Sequence, residues 1–470
     1  MIVNDEKTEY EITTKTTIAY SFANFADNSI QQTFNFLLFT FYYAVVGLNV
    51  NLITLGFIIW SVWNSINDPL LGALSDRTTS KWGRRKPYII AGIIPTIIIT
   101  VLLWTPPKGG SQLSIFLYFL IIIILYDTFY TMYNLNQMAL YPEMYSSLED
   151  RSKANTILQA STVFALMVAF ISPSIFVPKF DDPQYFDRYV YAGFFIAVIV
   201  AISVIIFLKY GLKEREEFVK DAESAPNLLK SLKYSFSNRA FITYIIANFG
   251  MWYSFGLLTA MTPLYGSFVL NIDNSLLLSL LLGLTFISAT FCMILWQKIS
   301  IKIGVRMGLI IALGSLLITA LPFMFIDNFL AGVIVYIIAG FTLSGMLFFR
   351  RVTLAAVIDD DELRTGVRRE GGYYGVDALV TKFSTIFIFL TIGLVFNSVG
   401  WAIFDPRGTT SETIFGLRSL MYIFPAIACV IGIIAMLFFP ITKERYDYLT
   451  RDTSVLHEEK KKKLYDSNKN

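Results

Sequence analysis

Residues 61–87 read SVWNSINDPLLGALSDRTTSKWGRRKP, a stretch that begins as apolar sequence fit for a bilayer and ends as a basic knot. Asp68 sits inside the apolar part and Asp76 at its edge, and Arg77, Lys81, Arg84, Arg85 and Lys86 follow. A carboxylate carried into lipid with cations stacked behind it needs two explanations, one for the cations and one for the carboxylate.

Composition supplies the setting. Of 470 residues, 55% are hydrophobic and 16% charged, against about 25% charged in an ordinary soluble domain. The apolar residues come in runs of roughly 18–25, and one such run crosses about 30 Å of hydrocarbon. The chain reads as an all-α membrane protein with twelve transmembrane helices, at 17–46, 51–75, 86–104, 113–141, 154–178, 187–209, 238–268, 275–296, 303–325, 329–357, 372–397 and 416–440. The longest polar stretch lies between the sixth and the seventh. It divides the chain into a six-helix bundle at 1–209, a cytoplasmic loop at 210–237, a second six-helix bundle at 238–440 and a charged cytoplasmic tail at 441–470.

Several classes are disfavoured at once. A net charge of +3 is too small to suggest a nucleic-acid partner. The N-terminus, MIVNDEKTEYEITTKT, lacks the basic start and small-residue cleavage site of a signal peptide, so the first membrane helix is expected to serve as its own insertion signal. Cys292 and Cys429 each lie in an apolar run and give neither a disulfide framework nor a metal spacing. The single histidine, His457, lies in the polar tail, so no histidine relay or zinc site is expected in the membrane. With no nucleophile there either, the sequence implies neither an enzyme nor a cofactor.

The cations follow from topology. Lys and Arg crowd the loops after segments 2, 4, 6, 8 and 10, whereas the alternate loops and their edges carry only Lys108, Lys179, Arg188 and Arg407. Basic loops stay inside, which puts both termini in the cytoplasm of a multi-pass protein of the cell membrane. SKWGRRK is thus an inside loop. The loop after segment 8, KISIKIGVR, echoes it with a Gly just before an Arg, as a repeat-built membrane protein would.

The carboxylate needs a different reason. Asp27, Asp68, Asp127, Asp377 and Lys382 fall within the predicted spans, and each would cost roughly 2.5–3.5 kcal/mol at a helix centre. All should face protein or water. Trp60, Asn64 and Asp68 repeat every fourth residue on segment 2 and share a face, which Gly72 continues. Asp127, Thr131, Asn134 and Met138 do the same on segment 4, and Asn24, Asp27, Asn28, Gln31 and Asn35 lie near one another on segment 1. Hydrogen-bonded packing explains one such stripe more easily than three, so a shared wet cavity is expected. Tyr20, Trp60, Trp63, Tyr130, Tyr133, Trp252, Tyr373 and Tyr374 lie on or beside the stripes, where a ring could stack on a sugar face.

NSINDPLLGALSDRTTSKWGRRKPYI resembles the segment 2–3 signature of the glycoside–pentoside–hexuronide:cation symporters of the major facilitator superfamily, the family of melibiose permease. IDDDELRTGVRREGGYYGVDALVTKF, residues 358–383, resembles that family's loop 10–11 and helix 11, and YTMYNLNQMALYPEM resembles its helix 4. The resemblance implies an alternating-access carrier with two six-helix bundles around a central site. Family cation sites use carboxylates on helices 2 and 4. Sugar is held by carboxylates on helices 1 and 4, an arginine on helix 5 and an aromatic on helix 4.

Carried over residue by residue, much of that site is replaced. The second helix 2 carboxylate is kept as Asp68, and the first falls on Asn64. The helix 1 carboxylate falls on or beside Asn28, with Asp27 next door, and the helix 4 carboxylate on Asn134. Thr131 and Lys382 are kept, the aromatic falls on Met138 and the arginine near Gln159. The expected substrate contacts are therefore Asp27, Asn28, Trp60, Asn134, Met138, Gln159 and Lys382. Those expected for cation coupling are Asn64, Asp68, Asp127 and Thr131, with Na⁺ near Asp68 or protonation of a buried carboxylate as the two routes. Asp76, Arg77, Arg84, Arg85 and Glu143, facing Arg364 and Arg368 with the nearby acids, are expected to form a cytoplasmic gate of ion pairs between the halves. The expected function is secondary transport of a glycoside or similar polar solute by a monomer. A lysolipid carrier and an uncoupled facilitator are the alternatives. A sugar carrier should line both halves with amides and hydroxyls, whereas a lipid carrier should open sideways between apolar helices.

Overall fold

A computed structural model describes residues 13–453 apart from 77, 79, 81, 146–147, 215–227, 367–368 and 450. Arg77, Arg368 and His457 lie outside the described residues, as do the side chains of Asp76 and Glu143. Among the described residues the regular structure is helical throughout.

The first half contains α1 (Thr14–Thr40), α2 (Val50–Asp76), α3 (Lys86–Leu102), α4 (Gln112–Met144), α5 (Leu148–Phe176) and α6 (Phe186–Ile206). Single π-helical turns at Phe41–Val45 and Phe207–Gly211 extend α1 and α6. A short α7 (Leu228–Ser237) precedes α8 (Arg239–Phe268), α9 (Ser275–Thr319), α10 (Phe329–Thr365), α11 (Glu370–Ser398), α12 (Ser411–Met421) and α13 (Ile423–Leu437).

Helix starts are written in the sequence as polar caps. The side chains of Thr13, Ser111, Asn238, Asn274, Asn328 and Thr410 each accept a backbone N–H from the first turn of the helix that follows. Those N–H groups have no partner within the helix, so a cap stabilises each start by about 1 kcal/mol.

Nine stretches among the described residues are long and apolar enough to cross a membrane. Two expected spans fall short of that standard for visible reasons. The stripe from Asn24 to Asn35 makes α1 too polar, and α3 has only 17 residues. Expected segments 8 and 9 are the two helices that α9 comprises, parted at Gly304 (φ 74°), whereas segment 12 is divided at Tyr422 into α12 and α13.

The helices pack mainly within each half of the chain. In the first, α1 lies on α5 and α6, and α4 on α2 and α3. In the second, α9 lies on α10, and α8 on α11, α12 and α13. Between halves, α2 meets α11, α5 meets α9 and α1 meets α8. One end of this junction is tightly tied. Phe57 and Phe389 stack at 3.5 Å, Thr54 Oγ1 donates to the Phe389 carbonyl at 3.1 Å, Asn51 bonds Asn397, and Lys179 pairs with Asp273 at 2.8 Å.

The echo between the two basic loops has a structural counterpart. Gly83 (φ 98°) and Gly304 (φ 74°) both take the left-handed backbone that side chains resist. Each is braced by the chain that leaves the last helix of its own half. Glu214 accepts the N–H groups of Arg84 at 2.5 Å, Arg85 at 2.7 Å and Lys86 at 3.3 Å, capping α3 with a carboxylate where the helix dipole favours one. Lys443 donates to the Lys302 carbonyl at 2.7 Å, just before the break in α9.

Gly304→Ala should therefore cost about 1–3 kcal/mol for a positive-φ extended backbone that glycine alone adopts readily, and its Cβ would also press on Lys443 at 3.0 Å. Thermal melting in detergent should show a lower midpoint. Gly375→Ala, on α11 with open space around it, should leave the midpoint unchanged or raise it.

Candidate functional site

The charges carried into the apolar segments find partners, and the partners define the site. Lys382 of α11 pairs with the Asp68 carboxylate of α2 and also donates to Asn64, to the backbone carbonyl at 2.8 Å and to Oδ1 at 2.5 Å. The four-residue spacing of Asn64 and Asp68 sets these oxygens one turn apart on one face, so a single ammonium reaches all of them. Thr131 of α4 donates to the other Asp68 oxygen at 3.2 Å. Asp127, also on α4, accepts from Asn67 at 3.1 Å and is buried.

A second cluster forms around Asp27. Tyr130 donates to its Oδ1 at 2.5 Å and Asn134 to the same atom at 2.6 Å. Asn28 turns back to the Asn24 carbonyl at 2.8 Å, and Asn24 itself reaches α5 through Thr162 at 2.7 Å.

A third cluster lies in the second half. Asp377, only 1% exposed, pairs with Arg350 of α10 at 2.7 Å and accepts from Tyr244 at 2.9 Å and Asn248 at 2.8 Å, both on α8. The Arg350 guanidinium lies over the Trp252 ring at 5.2 Å. The expected in-span charges included Asp377 but not Arg350, although Arg350 falls within the expected tenth segment. The signal was there in part: Tyr244 and Asn248 repeat the four-residue spacing of Tyr130 and Asn134.

Between the first and third clusters lies a cavity of about 320 Å³, within the size range of small-molecule sites. The first half contributes Gln31, Gln32, Asn35, Trp60 and Asn64, and the second half Trp252, Thr259, Thr381, Lys382, Ser384 and Thr385. Phe39, Phe57 and Phe389 cover the end where the halves are tied. Thr381 donates to the Asp377 backbone carbonyl at 2.9 Å, one turn back on α11, so the cavity wall and the third cluster share that helix.

Of the expected site residues, Trp60, Asn64 and Lys382 line this cavity, and Asp68, Thr131 and Asp127 stand behind them. Met138 is 60% exposed and Gln159 is exposed beside Asn155; neither lines the cavity. At the basic end, Asp360 pairs with Arg445 at 2.9 Å and Arg364 at 3.8 Å, and Asp361 with Arg369 at 3.4 Å. These pairs run within the second half: Arg364 stands one turn further along α10, Arg369 just before α11 and Arg445 beyond α13. Arg84 and Arg85 bond Glu214 through their backbone, and the Arg85 guanidinium reaches Ser75 at 3.2 Å, all within the first half.

Comparison with known proteins bears on family and fold. The profile of the MFS/sugar transport protein family matches residues 19–443. An isoprimeverose transporter of Lactiplantibacillus pentosus is 25% identical, over 90% of this chain and 88% of its own. The mouse sodium-dependent lysophosphatidylcholine symporter 1 is 22% identical, over 84% of this chain and 80% of its own. Among solved structures, a nucleoside transporter superposes with a TM-score of 0.64 at 14% identity, covering 90% of this chain and 99% of that one, a likeness of fold.

The buried pair in the third cluster generates a prediction. Arg350→Met strips Asp377 of its cation, and breaking a buried pair typically costs about 3–5 kcal/mol. Asp377→Asn in the same chain should recover most of that loss. Melting curves of the two single variants and the double variant close the cycle; additive losses would mean that the two side chains do not act as a pair.

Proposed function

The chain belongs to the MFS/sugar transport protein family, and from that premise we propose that it carries a glycoside-like polar solute across the cell membrane by alternating access, coupled to a cation. It is a multi-pass secondary transporter. Twelve spans in two six-helix bundles follow when α9 is divided at Gly304 and the helices beginning at Thr14 and Lys86 are added to the nine apolar stretches. Packing mainly within each half supports that division. The basic loops put both termini in the cytoplasm. On that orientation the tied end, with Phe57 on Phe389, faces outside, and the cavity is reached from within.

The observation that carries the reading is the cavity lining. Amides come from α1 and α2, and hydroxyls come from α8 and α11, with an indole from each half. Hydroxyl-rich solutes need both donors and acceptors, and an indole offers an apolar face for a sugar ring. Gln32 Oε1 and Trp252 Nε1 are buried at this lining without a partner among the described residues, and an apolar acyl chain would leave them so at a cost of about 1–3 kcal/mol each. The isoprimeverose transporter supports the same substrate class, and the lysophosphatidylcholine symporter marks the alternative. One chain supplies the whole cavity, so a monomer suffices.

The Lys382 ammonium takes three oxygens of Asn64 and Asp68, which the family resemblance assigns to the cation. A Na⁺ ion at Asp68 would have to displace it.

Uptake into proteoliposomes of labelled glycosides, pentosides and lysolipids, with imposed H⁺ or Na⁺ gradients, tests the proposal. Glycosides or pentosides should accumulate. Uptake of lysolipids alone would overturn it. Lys382→Ile should reduce uptake sharply, because Asp68 then faces the cavity without its cation; wild-type uptake by that variant would remove Lys382 from the site.

A further inference from the structure

At the tied end, a short segment between α5 and α6 lies bonded along the turn between α8 and α9. Ser275, at the start of α9, donates its N–H to the Pro178 carbonyl at 2.9 Å and its hydroxyl to the Val177 carbonyl. Lys179 pairs with Asp273 at 2.8 Å, and the Ser267 hydroxyl donates to Asp181 Oδ1 at 3.1 Å. Residues 177–181 of the first half thus meet 275–267 of the second in reverse order, through four bonds in a row.

The members of this clasp differ in burial. Lys179 and Asp273 are 34% and 86% exposed, so water reaches that pair. Asp181 is 4% exposed. Tyr189 of α6 donates to the neighbouring Phe180 carbonyl at 2.6 Å and holds the segment on its own half. An amide at position 181 would accept the same Ser267 hydrogen bond without burying a charge. The carboxylate therefore adds a cost to closure that the hydrogen bond does not require.

We propose that Asp181 makes this clasp an acid-sensitive latch, which protonation of the carboxyl closes and ionisation loosens. On the alternating-access reading given above, on which this rests, the tied end is the outer mouth. A mouth that opens must part 177–181 from 267–275. Parting returns Asp181 to water, and closing takes it out again. Burial holds its pKa above the usual carboxylate value in the closed clasp, against the opposing pull of Lys179 and of the Ser267 hydrogen bond. The closed state then binds the proton more tightly than the open one, so acid outside favours closure. The closed-to-open ratio is lowest above the raised pKa, climbs as pH falls through it, and levels off near the ordinary carboxylate value of about 4. The whole climb is about tenfold for each unit by which closure raises the pKa.

The charged and titratable groups that face Asp181 are Lys179 and Asp182 of its own segment, Tyr189 of α6 and, through Lys179, Asp273 of the α8–α9 turn. From α8 comes the Ser267 hydroxyl. This proton binds and leaves on the outer side, so it regulates the mouth and drives no solute.

Nitroxide labels on Arg188→Cys and Phe325→Cys, exposed positions at the outer end of the first and second halves, report the width of the mouth in liposomes, in a chain whose Cys292 and Cys429 are replaced by Ala. The labelled parent should gain short distances as the pH falls from about 8 to about 4. Asp181→Asn should hold the acid-limit distribution at every pH. Ser267→Ala, which removes a bond to the charged form, should move the midpoint to higher pH. A parent whose width ignores pH, or an Asp181→Asn curve that follows the parent's, overturns the proposal. If Asp181→Asn does not fold, Ser267→Ala decides, and an unshifted midpoint overturns it. No solute enters this measurement: a chain that takes up no solute would sink the carrier reading, while the distances still decide the latch.

Discussion

The ammonium of Lys382, held by Asp68 and by both oxygens of Asn64, is the interaction on which the arrangement of the two halves depends. A charged group inside hydrocarbon must find its partners within the protein, and Lys382 finds them on the opposite half. The bond therefore sets α11 against α2 at the depth of the cavity and fixes which faces of both helices look inward. Other ties between the halves, at Asn51, Thr54, Phe57 and Lys179, lie at one end and close it. A motion that opens that end must break those ties and pivot about the Lys382 contact, or release it.

The remaining charges are tolerated because neighbouring helices supply their partners, α4 for Asp27 and α8 and α10 for Asp377. Each half braces a left-handed glycine, Gly83 or Gly304, with the residue that follows its last helix, Glu214 or Lys443. Both halves also hold an aspartate with a tyrosine and an asparagine set four apart on one helix. The braces differ in charge because they cap opposite ends: a carboxylate suits the start of α3, and an ammonium suits the carbonyl before the break in α9. The aspartates differ because only the second half supplies an arginine.

Much of this was legible in the sequence, for physical reasons. Apolar runs must be bilayer-length, so the spans could be bounded to within a few residues. Helical periodicity is local, so the stripe Trp60, Asn64, Asp68 could be read without a partner helix. What the sequence withholds is which stripe meets which. Arg350 sits in an expected span beside Arg351, and nothing local says that one of them turns toward Asp377. The outward stance of Met138 and Gln159 has the same cause. Residue-by-residue carry-over preserves position along a helix, but the cavity wall depends on how neighbouring helices are rotated and spaced.

The basic end shows where tertiary proximity overrides charge complementarity. Asp360 and Asp361 face a choice between arginines of the first half and their own neighbours Arg364, Arg369 and Arg445, and here they take the neighbours. Both carboxylates are nearly buried, whereas the Arg364 and Arg445 side chains are 59% and 40% exposed, so water reaches these pairs from the arginine side. The Asp377–Arg350 pair is different, because its carboxylate is 1% exposed and breaking it would strand a buried charge. Such a pair suits a wall that must hold its shape, and this one lies behind the cavity that Trp252 and Thr381 line.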